Sequence, residues 1–251
     1  MAVVPGQSLS SSDNVDSDGA TRAWAERWLS AERLAPYLSA CSGDVVRALD
    51  LYEWNASLAQ ALMRDISYFE VALRNAYDRV MRESWGGDWL IDDDSPARMP
   101  LVRRSKRGEL DANHTNRRII DAAVAGLPRG FTHGSLVASL TLGFWVHLTD
   151  RSREAAIWRT CLYRTWPKGI KRASLQHSLN GILRVRNRAA HVERLFDPVR
   201  AELSPLAVGS DVVRLLRSLC PEAAERLYGD GSANPVELFC AEHPAPADVR
   251  L

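Results

Sequence analysis

The sequence predicts an all-α fold, and three observations carry that prediction. Apolar residues at Leu51, Leu58, Leu62, Ile66, Phe69, Leu73, Tyr77 and Val80 are separated by gaps of seven, four, four, three, four, four and three. That is the repeat of one helix face. No stretch alternates apolar and polar residues as a half-buried strand does. The periodic stretches end at glycine or proline, as at Trp85-Gly86-Gly87, Pro128-Arg129-Gly130, Pro167 and Pro198. The chain has 251 residues, 46% of them hydrophobic, enough for one large domain with a substantial core.

Taken in order, residues 1–20 are rich in Ser, Asp and Gly and are expected to be a disordered tail. A single helical domain is expected over 21–228. Its first helix starts at Thr21, with Trp24, Trp28 and Leu29 on one side. A short element over 30–39 is interrupted by Pro36. Ser42-Gly43-Asp44 caps the long helix that ends at Trp85, with Asn55 a candidate break. Asp92-Asp93-Asp94 reads as a solvated acidic turn, because no regular element fixes the carboxylates as a cation site. Residues 101–127 read as a helix whose first part, Arg103, Arg104, Lys106 and Arg107, is either an RNA-backbone patch or a solvated face. Residues 132–149 form the most apolar helix, and further helices are expected over 152–165, 170–196 and 199–218. Gly, Pro and Ala dominate 229–251, which reads as a flexible tail.

Composition excludes more than it assigns. Net charge is +1, so nothing pulls the whole chain toward nucleic acid or membrane. Of the 32 basic residues 29 are Arg, which suits phosphate recognition, although genome base composition alone can exchange Lys for Arg. Four scattered cysteines form no C-x-x-C. They read as reduced thiols of a cytoplasmic protein, and no metal or cofactor is expected. There is no signal-peptide pattern, and no apolar run long enough for a membrane span.

Chemistry concentrates in residues 183–196. Leu175, Leu179, Ile182, Val185, Ala189, Val192 and Phe196 form one apolar stripe, while Asn180, Arg184, Asn187 and His191 share a polar side at gaps of four, three and four. Arg186 and His191 are five apart, about 140° around a helix, so they would flank a ligand. An imidazole moves protons near neutrality, and a guanidinium stabilises phosphate charge. In RNA the 2′-OH is an internal nucleophile, so this pair suits phosphodiester cleavage without metal. The spacing alone is weak, since Arg107 and His114, Arg172 and His177, and Arg184 and His191 give similar pairs. Among these four Arg-His pairs only Arg186 is followed directly by Asn.

Four strings carry a resemblance. They are Leu34-Ala35-Pro36-Tyr37-Leu38 with Ala48-Leu49-Asp50-Leu51-Tyr52-Glu53-Trp54-Asn55, then Phe69-Glu70-Val71-Ala72-Leu73-Arg74-Asn75, then Leu140-Thr141-Leu142-Gly143-Phe144-Trp145-Val146, and Arg186-Asn187-Arg188-Ala189-Ala190-His191. Over residues 30–200 the chain resembles the Abi-like (abortive infection) family of the HEPN superfamily of helical RNases and RNA-binding domains. The resemblance implies a HEPN-like helical bundle with additional helices, and a metal-independent endoribonuclease of phage defence leaving 2′,3′-cyclic phosphate ends. It places catalysis on Arg186, Asn187 and His191, in a composite site shared by a homodimer. Glu70, Arg74 and Asn75 would line that site or hold the signature helix, with Arg184 a further RNA-binding candidate. An antitoxin RNA or protein is a candidate partner. A non-catalytic RNA-binding or sensing module and a structural dimerising protein stay open as alternatives. Trp54 and Trp145 are either base-stacking or core residues.

Overall fold

The computed structural model describes residues 11–105, 108–230 and 234–251, with side chains from residue 18 onward except at Ser105. The chain is almost wholly helical. Helices α1 (Ser11–Leu29) and α2 (Ala31–Ala40) lead into α3 (Val45–Trp85). A two-stranded hairpin follows, β1 (Val102–Ser105) with β2 (Gly108–Asp111). Then come α4 (His114–Gly126), α5 (His133–Ser139), α6 (Leu142–His147), α7 (Arg172–Ala190), α8 (Pro205–Leu219), α9 (Pro221–Tyr228) and α10 (Pro235–Glu242).

The axis of the fold is α3, 41 residues and about 60 Å at the usual rise of a helix. Its start is fixed by Asp44, whose side chain accepts from the Arg47 N–H at 3.0 Å. Its end is fixed by Gly86, at φ 88°, where only glycine is unstrained. The periodic apolar residues Leu51, Leu58, Leu62, Ile66, Phe69, Leu73, Tyr77 and Val80 are all buried. They meet α2, α7, α8 and α10, in one continuous core. Asn55 does not break the helix; it is fully buried within it. Pro36 likewise lies inside α2 without ending it.

Several expected boundaries are corrected. The stretch expected to be disordered, 1–20, is helical from Ser11, and no proline interrupts the chain from there to Leu29. Residues 1–10 lie outside the described residues. The helix expected over 101–127 is a hairpin followed by a shorter helix. Gly108 at φ 111° permits the turn. The Asp111 carboxylate accepts from the Leu101 and Asn113 N–H groups, both at 2.9 Å, which seals the strand ends. The buried Arg153 donates to Asn113 Oδ1 at 2.9 Å and to the Ala112 carbonyl at 2.5 Å, tying the base of the hairpin to the body. The apolar helix of 132–149 is two, α5 and α6, with Leu140 and Thr141 extended between them. Residues 152–165 are short irregular turns, one of them closed by a wide bond from the Arg159 N–H to the Glu154 carbonyl.

Residues 234–251, part of the tail expected to be flexible, are built in. Asn234 caps α10, and Val236 and Ala247 are buried. Gly209 of α8 makes this fit possible. A Cβ there would meet Asn234 Oδ1 at 2.5 Å. Among the described residues no helix is long and apolar enough to cross a membrane.

Candidate functional site

Helix α7 buries Leu175, Leu179, Ile182, Val185 and Ala189, the stripe its spacing predicts. Arg184 and Asn187 are thereby exposed and Arg186 half-buried. The helix does not continue to residue 196 as expected. It ends at Ala190, and His191 is its C-cap, with an exposed side chain.

The turn after His191 has a definite geometry. The Glu193 N–H donates to the Arg188 carbonyl at 2.9 Å and the Val192 N–H to the Ala189 carbonyl at 3.0 Å. This pair of bonds is a Schellman motif, which places one residue in the left-handed region. That residue is Val192, at φ 49°. A β-branched side chain there costs about 1–3 kcal/mol and persists only where the surroundings over-determine it. They do so here. From α3, buried Asn55 donates through Nδ2 to the Glu193 carbonyl at 3.1 Å and accepts at Oδ1 from the Leu195 N–H at 2.8 Å. The Arg188 guanidinium donates to the Arg194 carbonyl, and its Nε lies 3.5 Å from the Glu193 carboxylate. Phe196 is buried with its ring 5.3 Å from that of Tyr37, and the Arg194 guanidinium sits 5.5 Å over it. Phe196 therefore reaches the core by this fold-back and not along the helix stripe.

A second cluster lies one turn up α7, where α3, α6 and α7 meet. Burial raises the Glu70 carboxyl above its ordinary range; Arg186, Arg74 and the Leu142 backbone N–H oppose that shift. Leu142 is the first residue of α6, whose N-cap Thr141 makes no side-chain cap bond. Glu70 thus supplies the negative charge that a helix N-terminus favours. The Nε–H groups of Arg74 and Arg186 are buried with no partner among the described residues. Arg186 donates through Nη1 to Asn187 Oδ1 at 3.4 Å. The structure thus brings Glu70, Arg74, Arg186 and Asn187 together, with His191 at the helix end. Asn75 goes elsewhere. It is exposed and lines a cavity of about 380 Å³ with Arg79 and Leu216.

The basic candidates of the hairpin do not form one face. Arg103 and Arg104 are successive residues of β1, whose side chains point to opposite sides. Arg103 donates to the Arg151 carbonyl at 3.1 Å, and Arg104 to Glu109 at 3.4 Å. Lys106 and Arg107 lie outside the described residues. Trp145 and Trp54 are both buried, and the Trp54 indole donates to the His243 carbonyl at 2.7 Å. Trp24 and Trp28 are exposed, as is Trp85 at the end of α3, and the first two stack at 6.2 Å. From Trp28 rings continue inward through Tyr52 at 5.6 Å and Tyr37 at 5.4 Å to Phe196. The signal for this ladder was the Trp pair at i and i+4 in an otherwise polar helix.

An exposed imidazole, an exposed amide and a half-buried guanidinium are groups that can bind an anion and move a proton beside it. Among the described residues no group of three or more His, Cys, Asp and Glu side chains is placed to hold a metal ion. Comparisons with protein-family models, curated proteins and solved structures return no match to this chain.

Proposed function

We propose that this chain is a metal-independent endoribonuclease of the abortive-infection type, acting through Arg186, Asn187 and His191. One observation carries the reading. The four strings that resemble the Abi-like HEPN family, far apart in sequence, converge on the end of α7. The first supplies Tyr37 and Asn55 to the turn, the second Glu70 and Arg74, the third the N-terminus of α6, and the fourth Arg186 and His191. A phosphate placed there would lie beside the half-buried guanidinium of Arg186.

In this reaction the RNA 2′-oxygen attacks the adjacent phosphorus while the bond to the 5′-oxygen breaks. One imidazole takes the proton of the 2′-OH and another delivers a proton to the leaving oxygen. Each chain offers one His191, so the composite site needs a second copy. Arg186 stabilises charge on the phosphoryl oxygens. Trp24 and Trp28 provide a stacking surface for an unpaired base. An antitoxin RNA or protein covering this face would keep the enzyme silent.

A second reading draws on the same cluster. Arg186 is half-buried beside Glu70, as a latch between α3 and α7 would be. Under it the chain binds RNA, or only dimerises, without cutting. The test is RNA incubated with wild type, His191→Ala and Arg186→Ala in EDTA, with ends mapped and folding checked by circular dichroism. The nuclease reading expects 2′,3′-cyclic phosphate ends from wild type alone. Cleavage that persists in both variants sinks it, and RNA binding without cleavage by wild type favours the second.

A further inference from the structure

Away from α7, helix α10 and the end of α9 close over α3 to leave a cavity of about 550 Å³, the size of a small-molecule site. In its wall is Asp65, 2% exposed and the one buried carboxylate among the described residues. Its Oδ1 accepts from the Tyr228 hydroxyl at 3.1 Å and from Arg64 Nε and Nη2, both at 3.3 Å. Its Oδ2 has only an Arg64 Nη2 contact at 3.5 Å. Arg64 is a loose partner, because its side chain is 62% exposed and its contacts are long. A charge removed from water so thoroughly is costly unless its lone pairs are used. Burial raises the Asp65 carboxyl above its ordinary range, against the pull of Arg64 and Tyr228.

The rest of the lining says what would use them. Tyr68, Tyr228 and Phe239 line the cavity, and aromatic rings attract cations. Glu242, exposed, adds a second carboxylate to the lining. An anionic ligand would meet two carboxylates, against one guanidinium and the His243 imidazole. A cation would meet two carboxylates and three aromatic rings, with Arg64 free to swing into solvent. Arg64 already shows the chemistry in outline, as a guanidinium drawn toward a carboxylate it does not reach at close range.

We propose that this cavity binds a small organic cation, a guanidinium or primary ammonium on a short stem, with its charge on Asp65 and its stem against Tyr68 and Phe239. The inference is independent of the nuclease reading. The test is isothermal titration calorimetry of the full chain with agmatine and spermidine, and with adenosine monophosphate as the anionic contrast. Saturable binding of agmatine or spermidine is expected. It should weaken about tenfold or more in Asp65→Asn, which keeps the shape of the side chain, and measurably in Tyr68→Ala at the exposed rim. Circular dichroism checks that each variant folds. The proposal is overturned by the absence of binding by both amines, by equal affinity in wild type and both folded variants, or by preferential binding of the nucleotide.

Discussion

Two irregular segments are pinned to α3 by adjacent residues of that helix. Asn55 holds the turn after His191, and Trp54 holds the C-terminal segment through the His243 carbonyl. The first attachment is fully buried and uses both ends of an amide, and it sustains a strained Val192. The second is a single indole bond, helped by the exposed Arg47 donating to the Pro246 carbonyl at 2.6 Å. The two segments also meet. The Asp197 N–H donates to the Arg250 carbonyl at 2.7 Å and the Arg250 N–H returns to Asp197 Oδ1 at 3.1 Å. The difference teaches that a turn carrying a strained residue is anchored by satisfied buried polarity. The wall around the cavity leans on α8 as well, where buried Asn234 donates through Nδ2 to the Leu206 carbonyl at 2.8 Å and to Ser210 Oγ at 2.9 Å.

The largest expected effect breaks the stronger anchor. Asn55→Ala leaves the Leu195 N–H and the Glu193 carbonyl without their partner, at about 2–4 kcal/mol. In a chain of this size that lowers the melting temperature by about 4–16 °C, and a variant melting within a degree of wild type would show the clamp is dispensable. Next comes the weaker anchor. Gly209→Ala drives a Cβ into Asn234, costing about 1–3 kcal/mol. Limited proteolysis should then cut near residue 230 well before it cuts α7; simultaneous cutting of both would mean that they unfold as one unit. Val192→Gly works in the opposite direction. It relieves the left-handed β-branched residue and should stabilise by about 1 kcal/mol, read as a small rise in melting temperature, and a fall would show that Val192 packing outweighs its strain.

The smallest effect is on pH dependence. Asp65 binds its proton more tightly folded than unfolded, because burial raises its carboxyl. Between the ordinary carboxylate range and that raised value the folded state carries more protons. Stability therefore falls as pH rises through the window and stays lower above it. Asp65→Asn lacks this loss, so its melting temperature should decline less than that of wild type from pH 4.5 to pH 7. Parallel declines would mean that Asp65 is ionised alike in both states.

The candidate site was partly legible in the sequence. The buried face of α7 and the exposure of Asn187 follow from helical spacing, and Glu70 and Arg74 lie beside Arg186. Asn75 shows the limit. One residue along a helix is about 100° of rotation, enough to turn it from the Arg186 cluster to another cavity. Trp54 and Trp145 show another, since an indole in an apolar string reads as core or as stacking surface until its neighbours are known. The hairpin escaped notice because each strand has four residues, too short for alternation to register.

By itself the sequence determined the all-α class, the course of α3 and the buried stripe of α7. These rest on a periodicity contained within each segment, and no distant partner is needed to produce it. Only the tertiary structure decided where α7 stops, why a valine follows in the left-handed region, and that the last residues form a helix walling a cavity. Those outcomes depend on partners such as Asn55 and Leu195, 140 residues apart, or Gly209 and Asn234 on neighbouring helices. Local composition carries no record of such pairings, because the free energy that selects them arises only when both groups leave water together.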